Sequence, residues 1–82
     1  MPKKTIYAKE YRELVTELRR TRKALGITQT ELCDALGWPQ QRLSAIEQGG
    51  RRLDVMEYFL LAEKLGISPK KAMTLVLRLR RK

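Results

Sequence analysis

The sequence has no histidine and only one cysteine, Cys33, which restricts the chemistry it can support. A single cysteine cannot form a disulfide bond within the chain, and without histidine no plausible zinc site remains. The acidic side chains are scattered, so they offer no credible acid–base pair for catalysis. We therefore expect a protein that is not an enzyme and needs no cofactor, with Cys33 acting as a small buried hydrophobe.

Long apolar segments are also missing. No apolar run approaches the ~18 residues needed to span a bilayer, and the N-terminus lacks a signal-peptide pattern. We therefore expect a cytoplasmic protein. A chain of 82 residues suits one small domain, spanning residues 1–82. A domain of this size buries roughly 60% of its unfolded surface, so it can fold without disulfides or metals.

Acidic residues are few relative to basic ones, with 9 against 18 and a net charge of +9. After Glu63 the chain has no acidic residue, and the basic residues that follow are Lys64, Lys70, Lys71, Arg78, Arg80, Arg81 and Lys82. This excess favours a polyanionic partner, either nucleic acid or an anionic membrane surface. Charge alone does not choose between them, because a basic amphipathic tail can also contact lipid.

Residues 28–48 have the pattern of two short helices joined by a tight turn. Thr28 is a good N-cap and Glu31 stands where its capping-box partner belongs, which predicts a helix from about residue 29 to residue 36. Gly37 suits a backbone with positive φ, and Pro39 supplies a fixed φ for the first position of a new helix. The chain therefore turns sharply here and begins a second helix.

The second helix of this pair has one face suited to packing and one that is neutral and rich in amides. Leu43 and Ile46 are its only large apolar residues, and the opposite side carries Gln40, Gln41, Ser44, Ala45 and Gln48. A glutamine can bind the N6 and N7 atoms of adenine, and an alanine can contact a thymine methyl group in the major groove. The alternative is a polar surface helix without a special role, since helical hairpins with a glycine turn are common.

The segment before this pair is predicted to hold a basic arm, residues 1–6, followed by helix 1 from about Tyr7 to Leu25. The arm is short and contains Pro2, so we expect it to be flexible. Helical spacing relates Tyr11, Leu14, Val15, Leu18, Arg22 and Leu25. Gly26 should end this helix, with Leu18 and Leu25 packing on helix 2.

The segment after the pair begins with a basic loop, residues 49–52, whose two glycines allow close approach to a phosphate backbone. Its two guanidinium groups, Arg51 and Arg52, can each make bidentate phosphate contacts. Asp54 then caps a fourth helix, predicted over residues 55–65 and ended by Gly66, with Val55, Phe59, Leu60 and Ala62 in the core. Ser68 and Pro69 begin a fifth helix as cap and first residue, and residues 70–82 make this helix basic and amphipathic.

Residues 11–68 resemble the helix-turn-helix domain of phage repressors and Cro proteins, the xenobiotic-response-element class of bacterial regulators. The matching positions are Arg22, Leu25, Gly26, Thr28, Gln29, Leu32, Leu36, Gly37, Gln40, Leu43, Ile46 and Glu47, followed by the basic loop and the segment F-L-L-A-E-K-L-G-I-S-P. Two positions depart from the pattern: Cys33 replaces a small alanine, and Pro39 replaces a serine or threonine cap. Losing the cap side chain removes one hydrogen bond at the helix end and puts one phosphate contact in doubt.

The resemblance implies an all-α fold, a compact bundle of five helices with a lambda-repressor-like helix-turn-helix, in agreement with the helix count read from the pattern. It also implies sequence-specific binding of double-stranded DNA as a transcriptional regulator, which we expect to be a repressor. The expected base contacts are Gln40, Gln41, Ser44 and Ala45, and the expected phosphate contacts are Gln29, Arg42, Gln48, Arg51 and Arg52. By the same resemblance Arg22 and Glu47 should form an ion pair, partly buried, between helix 1 and the recognition helix.

Helix 5 carries more apolar surface than packing on one core requires. At about 100° per residue its apolar groups spread over roughly 200°, so we expect Leu75 and Leu79 to face the core. Met73, Val76 and Leu77 would then form the interface of a symmetric homodimer, which implies a near-palindromic operator. The alternative is a helix wedged into its own monomer or in contact with lipid.

A different class of function also fits the pattern. The antitoxin component of a toxin–antitoxin pair commonly uses this type of domain for autoregulation and binds a protein partner as well. Such a protein usually needs an extra segment for the toxin, and here only the first ten residues and the tail are left over. A binder of RNA or single strands is less favoured because the outer face lacks stacking aromatics. We therefore take duplex DNA as the partner, with no membrane.

Overall fold

A computed structural model describes the backbone of residues 3–80 and the side chains of residues 9–78. Within this range the chain forms five helices and no strand. They are α1 (Lys3–Ala24), α2 (Gln29–Leu36), α3 (Gln40–Gln48), α4 (Val55–Lys64) and α5 (Pro69–Arg80). The all-α fold of five helices predicted from the sequence is confirmed, and the bounds of α2 are those predicted. None of the described helices is long and apolar enough to cross a bilayer.

The helices pack around one core, with α1 against α3 and α5, and α4 against α2 and α5. Its centre is made by buried side chains from all five helices and from the residue that follows α4, namely Leu18, Leu32, Cys33, Leu43, Tyr58, Leu61, Ala62, Leu65 and Ala72. At roughly 25 cal/mol for each Å² of apolar surface removed from water, this burial is the main stabilising term of the fold. Residues 49–52, which form the basic loop, remain exposed on the surface.

Helix α1 differs from the prediction at both ends. It begins at Lys3, so residues 3–6 of the predicted arm belong to the helix, whereas residues 1 and 2 lie outside the described residues. At the other end Leu25 is 54% exposed, so the prediction that it packs on α2 is wrong. The helix ends at Ala24 and the chain turns at Gly26 (φ 73°), so Leu25 lies in the turn that ends the helix. Ile27, beyond the turn, packs against the core instead.

The buried face of α4 also differs from the prediction. Val55 and Leu60, predicted as core residues, are 69% and 41% exposed, while Tyr58 and Leu61 are buried. The buried positions keep helical spacing, but the face they occupy is rotated from the predicted one. The hydroxyl of Tyr58 donates to the carbonyl oxygen of Ala72 at 2.7 Å and so ties α4 to α5, and burial raises the pKa of this phenol.

Helix α5 begins as predicted, with the Ser68 hydroxyl accepting from the backbone N–H of Lys71 at 3.1 Å. Leu75 faces the core, and the side chain of Leu79 lies outside the described residues. Met73 and Leu77 are 48% and 47% exposed. Val76, which was assigned with them to a dimer surface, is partly buried against the core of its own chain, so only part of it can serve that surface.

Candidate nucleic-acid interface

Helix α2, which precedes the turn to α3, is fixed by hydrogen bonds at both of its ends. Before α2, the Thr28 hydroxyl accepts from the N–H of Glu31 at 3.0 Å, and the Glu31 carboxylate accepts from the N–H of Thr28 at 2.9 Å. After α2, Gly37 takes a left-handed conformation (φ 73°) and the N–H of Trp38 donates to the carbonyl of Cys33 at 3.0 Å. This helix ending needs a positive φ that most residues avoid, which is why glycine stands there.

Pro39 is the N-cap of α3 rather than the first helical residue predicted from the sequence. Its backbone is extended (φ −69°, ψ 144°), it makes no side-chain cap bond, and the helix begins at Gln40. A serine or threonine cap typically contributes about 1 kcal/mol, which this helix end lacks. The orientation of α3 is set instead by Leu43 and Ile46, which are 2% and 1% exposed.

With those two side chains turned inward, the amide-rich side of α3 faces outward. Gln40, Gln41 and Gln48 are exposed, and Ser44 and Ala45 are partly buried between them. The Gln48 amide donates to the Ser44 hydroxyl at 3.4 Å. The structure thus places the four residues expected to contact bases on one accessible strip of α3, and their contacts with bases stay a prediction.

A buried ion pair joins α1 to the end of α3. The Arg22 guanidinium donates from Nε to Glu47 Oε2 at 2.8 Å and from Nη2 to Glu47 Oε1 at 3.0 Å. The two side chains are only 8% and 7% exposed. Arg22 Nη1 donates to the carbonyl oxygen of Ile27 at 2.7 Å, so each terminal nitrogen of the guanidinium is used.

Gln29 connects this ion pair to the start of α3. Its Nε2 donates to Glu47 Oε1 at 2.8 Å, and its Oε1 accepts from Gln40 Nε2 at 3.4 Å. An amide offers two N–H donors and two acceptor lone pairs, so these two bonds leave capacity for the phosphate contact expected of Gln29. The structure therefore fixes the orientation of Gln29 and relates it directly to Gln40.

Two of the arginines expected to bind phosphate share one carboxylate. Arg51 donates to Glu57 from Nη1 at 3.2 Å and pairs through Nη2 at 3.0 Å, while Arg42 Nη1 lies 3.8 Å from the same carboxylate. The hydrogen bond from Arg51 lowers the pKa of Glu57, so this carboxylate is charged at neutral pH. Arg42 also stacks over Trp38, with its Cζ 4.9 Å from the ring centroid. Both arginines are thus directed toward Glu57 of α4.

The backbone of the basic loop is held by Tyr11 of α1. The Tyr11 hydroxyl accepts from the N–H of Leu53 at 2.8 Å and donates to the carbonyl of Arg51 at 3.4 Å. The Arg52 guanidinium lies over the Tyr11 ring, 5.9 Å from its centroid. Tyr11 was predicted only as part of the apolar side of α1, and nothing in its spacing indicates that its hydroxyl serves the loop.

Glu57 and Trp38 were also not identified from the sequence as parts of this surface. A signal for Glu57 exists, because it stands three residues after the predicted cap Asp54 and completes a capping box. Among the described residues no group of acidic, cysteine or histidine side chains is arranged to hold a metal ion. Cys33 is 2% exposed, and burial raises the pKa of its thiol, as expected of an unreactive core residue.

Most of this surface lies in a segment that the chain shares with known proteins. Residues 18–71 match the family model described as Helix-turn-helix. An uncharacterized HTH-type transcriptional regulator of Sinorhizobium fredii is 38% identical over 60 residues, which represent 72% of this chain and 78% of that protein. Among solved structures, an XRE-family like protein from Pseudomonas syringae pv. tomato superimposes with a TM-score of 0.85 at 36% identity, with 94% of each chain covered.

Proposed function

Because this chain belongs to the helix-turn-helix family of DNA-binding transcription regulators, we propose that it reads duplex DNA with α3 and acts as a repressor. The observation that carries the proposal is the exposed strip of glutamines and small residues on α3, directly followed by a basic loop. Binding at a promoter blocks access of the transcription machinery, so the protein needs neither a cofactor nor catalysis. It would act in the cytoplasm, where the genome of a bacterium lies.

Gln40 and Gln41 are the leading candidates for base readout. Recognition helices contact base edges through their N-terminal residues, and these two glutamines open α3. Gln40 is assigned to adenine at the outer end of each half-site, because an amide matches the N6 and N7 atoms of that base. Ser44 and Ala45, one turn further along α3, would contact bases deeper in the groove.

The phosphate contacts are assigned to both sides of this strip. Arg51 and Arg52 lie in the loop that follows α3, and Gln29 lies at the N-terminus of α2, where backbone N–H groups and the helix dipole favour an anion. Arg42 at the flank of the strip and Gln48 at its C-terminal end complete the set. These contacts would set the affinity and register of the complex, whereas the glutamines would set its sequence preference.

A two-fold dimer through α5 would complete the DNA-binding unit. Met73 and Leu77 remain half exposed, with the exposed part of Val76 between them. Exposed apolar side chains grouped on one helix face are typical of an interface. A symmetric dimer sets its two recognition helices about 34 Å apart, so the operator should be a near-palindrome with half-sites about 10 base pairs apart or a multiple of that distance.

Selection of bound sequences from a random duplex pool tests the proposal. We expect the wild-type protein to enrich a near-palindromic motif, and Gln40→Ala to lose preference at one base pair per half-site. On the preferred site this change should cost about 1 to 3 kcal/mol. Gln48→Ala is the matched control, because it removes the same side chain from the far end of α3 and should weaken all sequences alike.

Two results would contradict the proposal in different ways. If the wild-type protein enriched no motif, sequence-specific DNA binding itself would be refuted, and a protein-interaction module such as an antitoxin would be favoured. If Gln40→Ala weakened every sequence equally, DNA binding would stand while the assignment of Gln40 to a base would fail.

A further inference from the structure

The basic loop, residues 49–52, contains two glycines and lies outside any helix, yet its geometry is fixed by contacts from distant parts of the chain. We propose that Tyr11 and Glu57 are positioning residues, which hold this loop and its arginines in the DNA-binding arrangement before DNA is bound. The inference rests on the proposed function and concerns residues that do not themselves touch DNA.

Tyr11 holds the backbone on both sides of Arg52. The first half of the loop is attached to α3, since the N–H groups of Gly50 and Arg51 both donate to the carbonyl of Ala45, at 2.8 and 3.3 Å. Beyond that point the carbonyl of Arg51 and the N–H of Leu53 are both bound by the Tyr11 hydroxyl. This one hydroxyl therefore fixes the part of the loop that α3 does not reach.

Glu57 fixes the side chain of Arg51. The carboxylate binds the two terminal nitrogens of the guanidinium, a geometry that restricts the arginine to one orientation. Glu57 is itself held in place, because it is 8% exposed and accepts from the N–H of Asp54 at 3.0 Å. A guanidinium has five N–H donors, so the two bonds to Glu57 leave three for an anion, and the Arg51 side chain is 41% exposed.

Preordering of this kind acts on affinity through entropy. Immobilising a flexible arginine on binding typically weakens a complex about two- to tenfold, and a loop already ordered in the free protein avoids that loss. The number of phosphates contacted does not change when the ordering is lost, because the same arginines still reach them. Positioning therefore affects affinity and leaves the salt dependence of binding unchanged.

Tyr11→Phe is the direct test, since it removes the hydroxyl and keeps the ring under Arg52. We expect operator affinity to fall about two- to tenfold while the slope of log affinity against log salt stays at the wild-type value. Arg51→Ala, which removes a phosphate contact, should instead flatten the slope by about one unit. Tyr58→Phe is the matched control, because it loses a hydroxyl bond in the core and should leave the affinity of the folded protein unchanged.

A double-mutant cycle tests Glu57. Glu57→Gln keeps the acceptor for the N–H of Asp54 but removes the charge that holds Arg51. Losing this charge also removes a repulsion between Glu57 and the DNA phosphates, and this effect is the same whether or not Arg51 is present. Only the coupling between Glu57→Gln and Arg51→Ala therefore measures positioning. We expect a coupling of at least about twofold, and additive effects would remove Glu57 from the proposal.

Hydrogen exchange of the free protein separates this inference from the proposed function. The N–H of Leu53 should exchange faster in Tyr11→Phe than in the wild type, and equal rates would overturn the positioning role of Tyr11 whether or not DNA is bound. If the wild-type protein failed to bind duplex DNA, the proposed function would fail. If the wild type bound and Tyr11→Phe bound equally well, only the positioning role would be overturned.

Discussion

Replacing Glu47 by glutamine should cost this protein a large part of its stability. Glu47 is 7% exposed on its side chain and accepts two bonds from Arg22, of 2.8 and 3.0 Å, and one of 2.8 Å from Gln29. A glutamine of the same shape has one oxygen and one NH₂ group. If its oxygen serves Gln29 and Arg22 Nη2, its NH₂ faces the Arg22 Nε–H at close range, so two donors oppose each other.

The magnitude follows from the burial of the arginine that remains. Arg22 is 8% exposed on its side chain and would keep only one neutral acceptor from residue 47, together with the carbonyl of Ile27. Removing one partner of a buried pair costs about 3 to 5 kcal/mol, because an uncompensated charge stays inside the protein. Small domains have stabilities of about 5 to 15 kcal/mol, so this change should leave a marginal fold.

Thermal or urea unfolding of Glu47→Gln measures the effect. For a domain of this size each kcal/mol shifts Tm by about 4 to 8 °C, so we expect a fall of at least roughly 12 °C. Glu17→Gln is the control, because Glu17 pairs with Arg20 at 2.8 Å on the surface, with the two side chains 39% and 68% exposed. That pair should contribute under about 1 kcal/mol. A loss of similar size in both variants would refute the argument from burial.

Two further predictions concern other contacts. Leu77→Glu should convert a dimer at micromolar concentration into a monomer that binds operator weakly, as measured by sedimentation; a mutant that still dimerises would remove α5 from the interface. The hydrogen bond from Arg51 holds the pKa of Glu57 in the folded protein below its ordinary value. The pair therefore stabilises the fold at a pH above the pKa of Glu57 in the unfolded chain, and this stabilisation is lost as the pH falls through the pKa of Glu57 in the folded protein. The stability difference between wild type and Arg51→Ala should therefore shrink below about pH 4. A difference that stays constant with pH would contradict the assignment.

The two ends of α2 could be predicted from the sequence because the bonds that form them are local. The capping box of Thr28 and Glu31 spans three residues, and the turn at Gly37 depends on the backbone of a few residues around it. Which residues of a helix face inward is harder to predict. In α4 the sequence F-L-L-A offers several apolar residues in a row, and only the packing of α4 against α2 and α5 decides that Leu61 is buried and Leu60 exposed.

In the candidate site, too, some features could be predicted from local spacing and others depend on tertiary packing. The outward face of α3 followed from the spacing of Leu43 and Ile46, since two buried positions three apart determine the orientation of a short helix. The contacts of the loop did not follow from spacing. Glu57 could have been identified as a helix cap, but its contact with Arg51 depends on how α4 lies against the loop, which is decided by tertiary packing.

The residue type at position 29 follows from the two neighbours it must satisfy. Glu47 Oε1 already accepts from Arg22, so a residue beside it must donate, and a carboxylate at position 29 would be repelled. A lysine there would donate to Glu47 but could not accept from Gln40, since an ammonium group has no acceptor. An amide does both, with bonds of 2.8 Å to Glu47 and 3.4 Å from Gln40. The ion pair between Arg22 and Glu47 therefore also orients, through Gln29, the first residue of α3, so the stability of the fold and the proposed DNA readout depend on the same carboxylate.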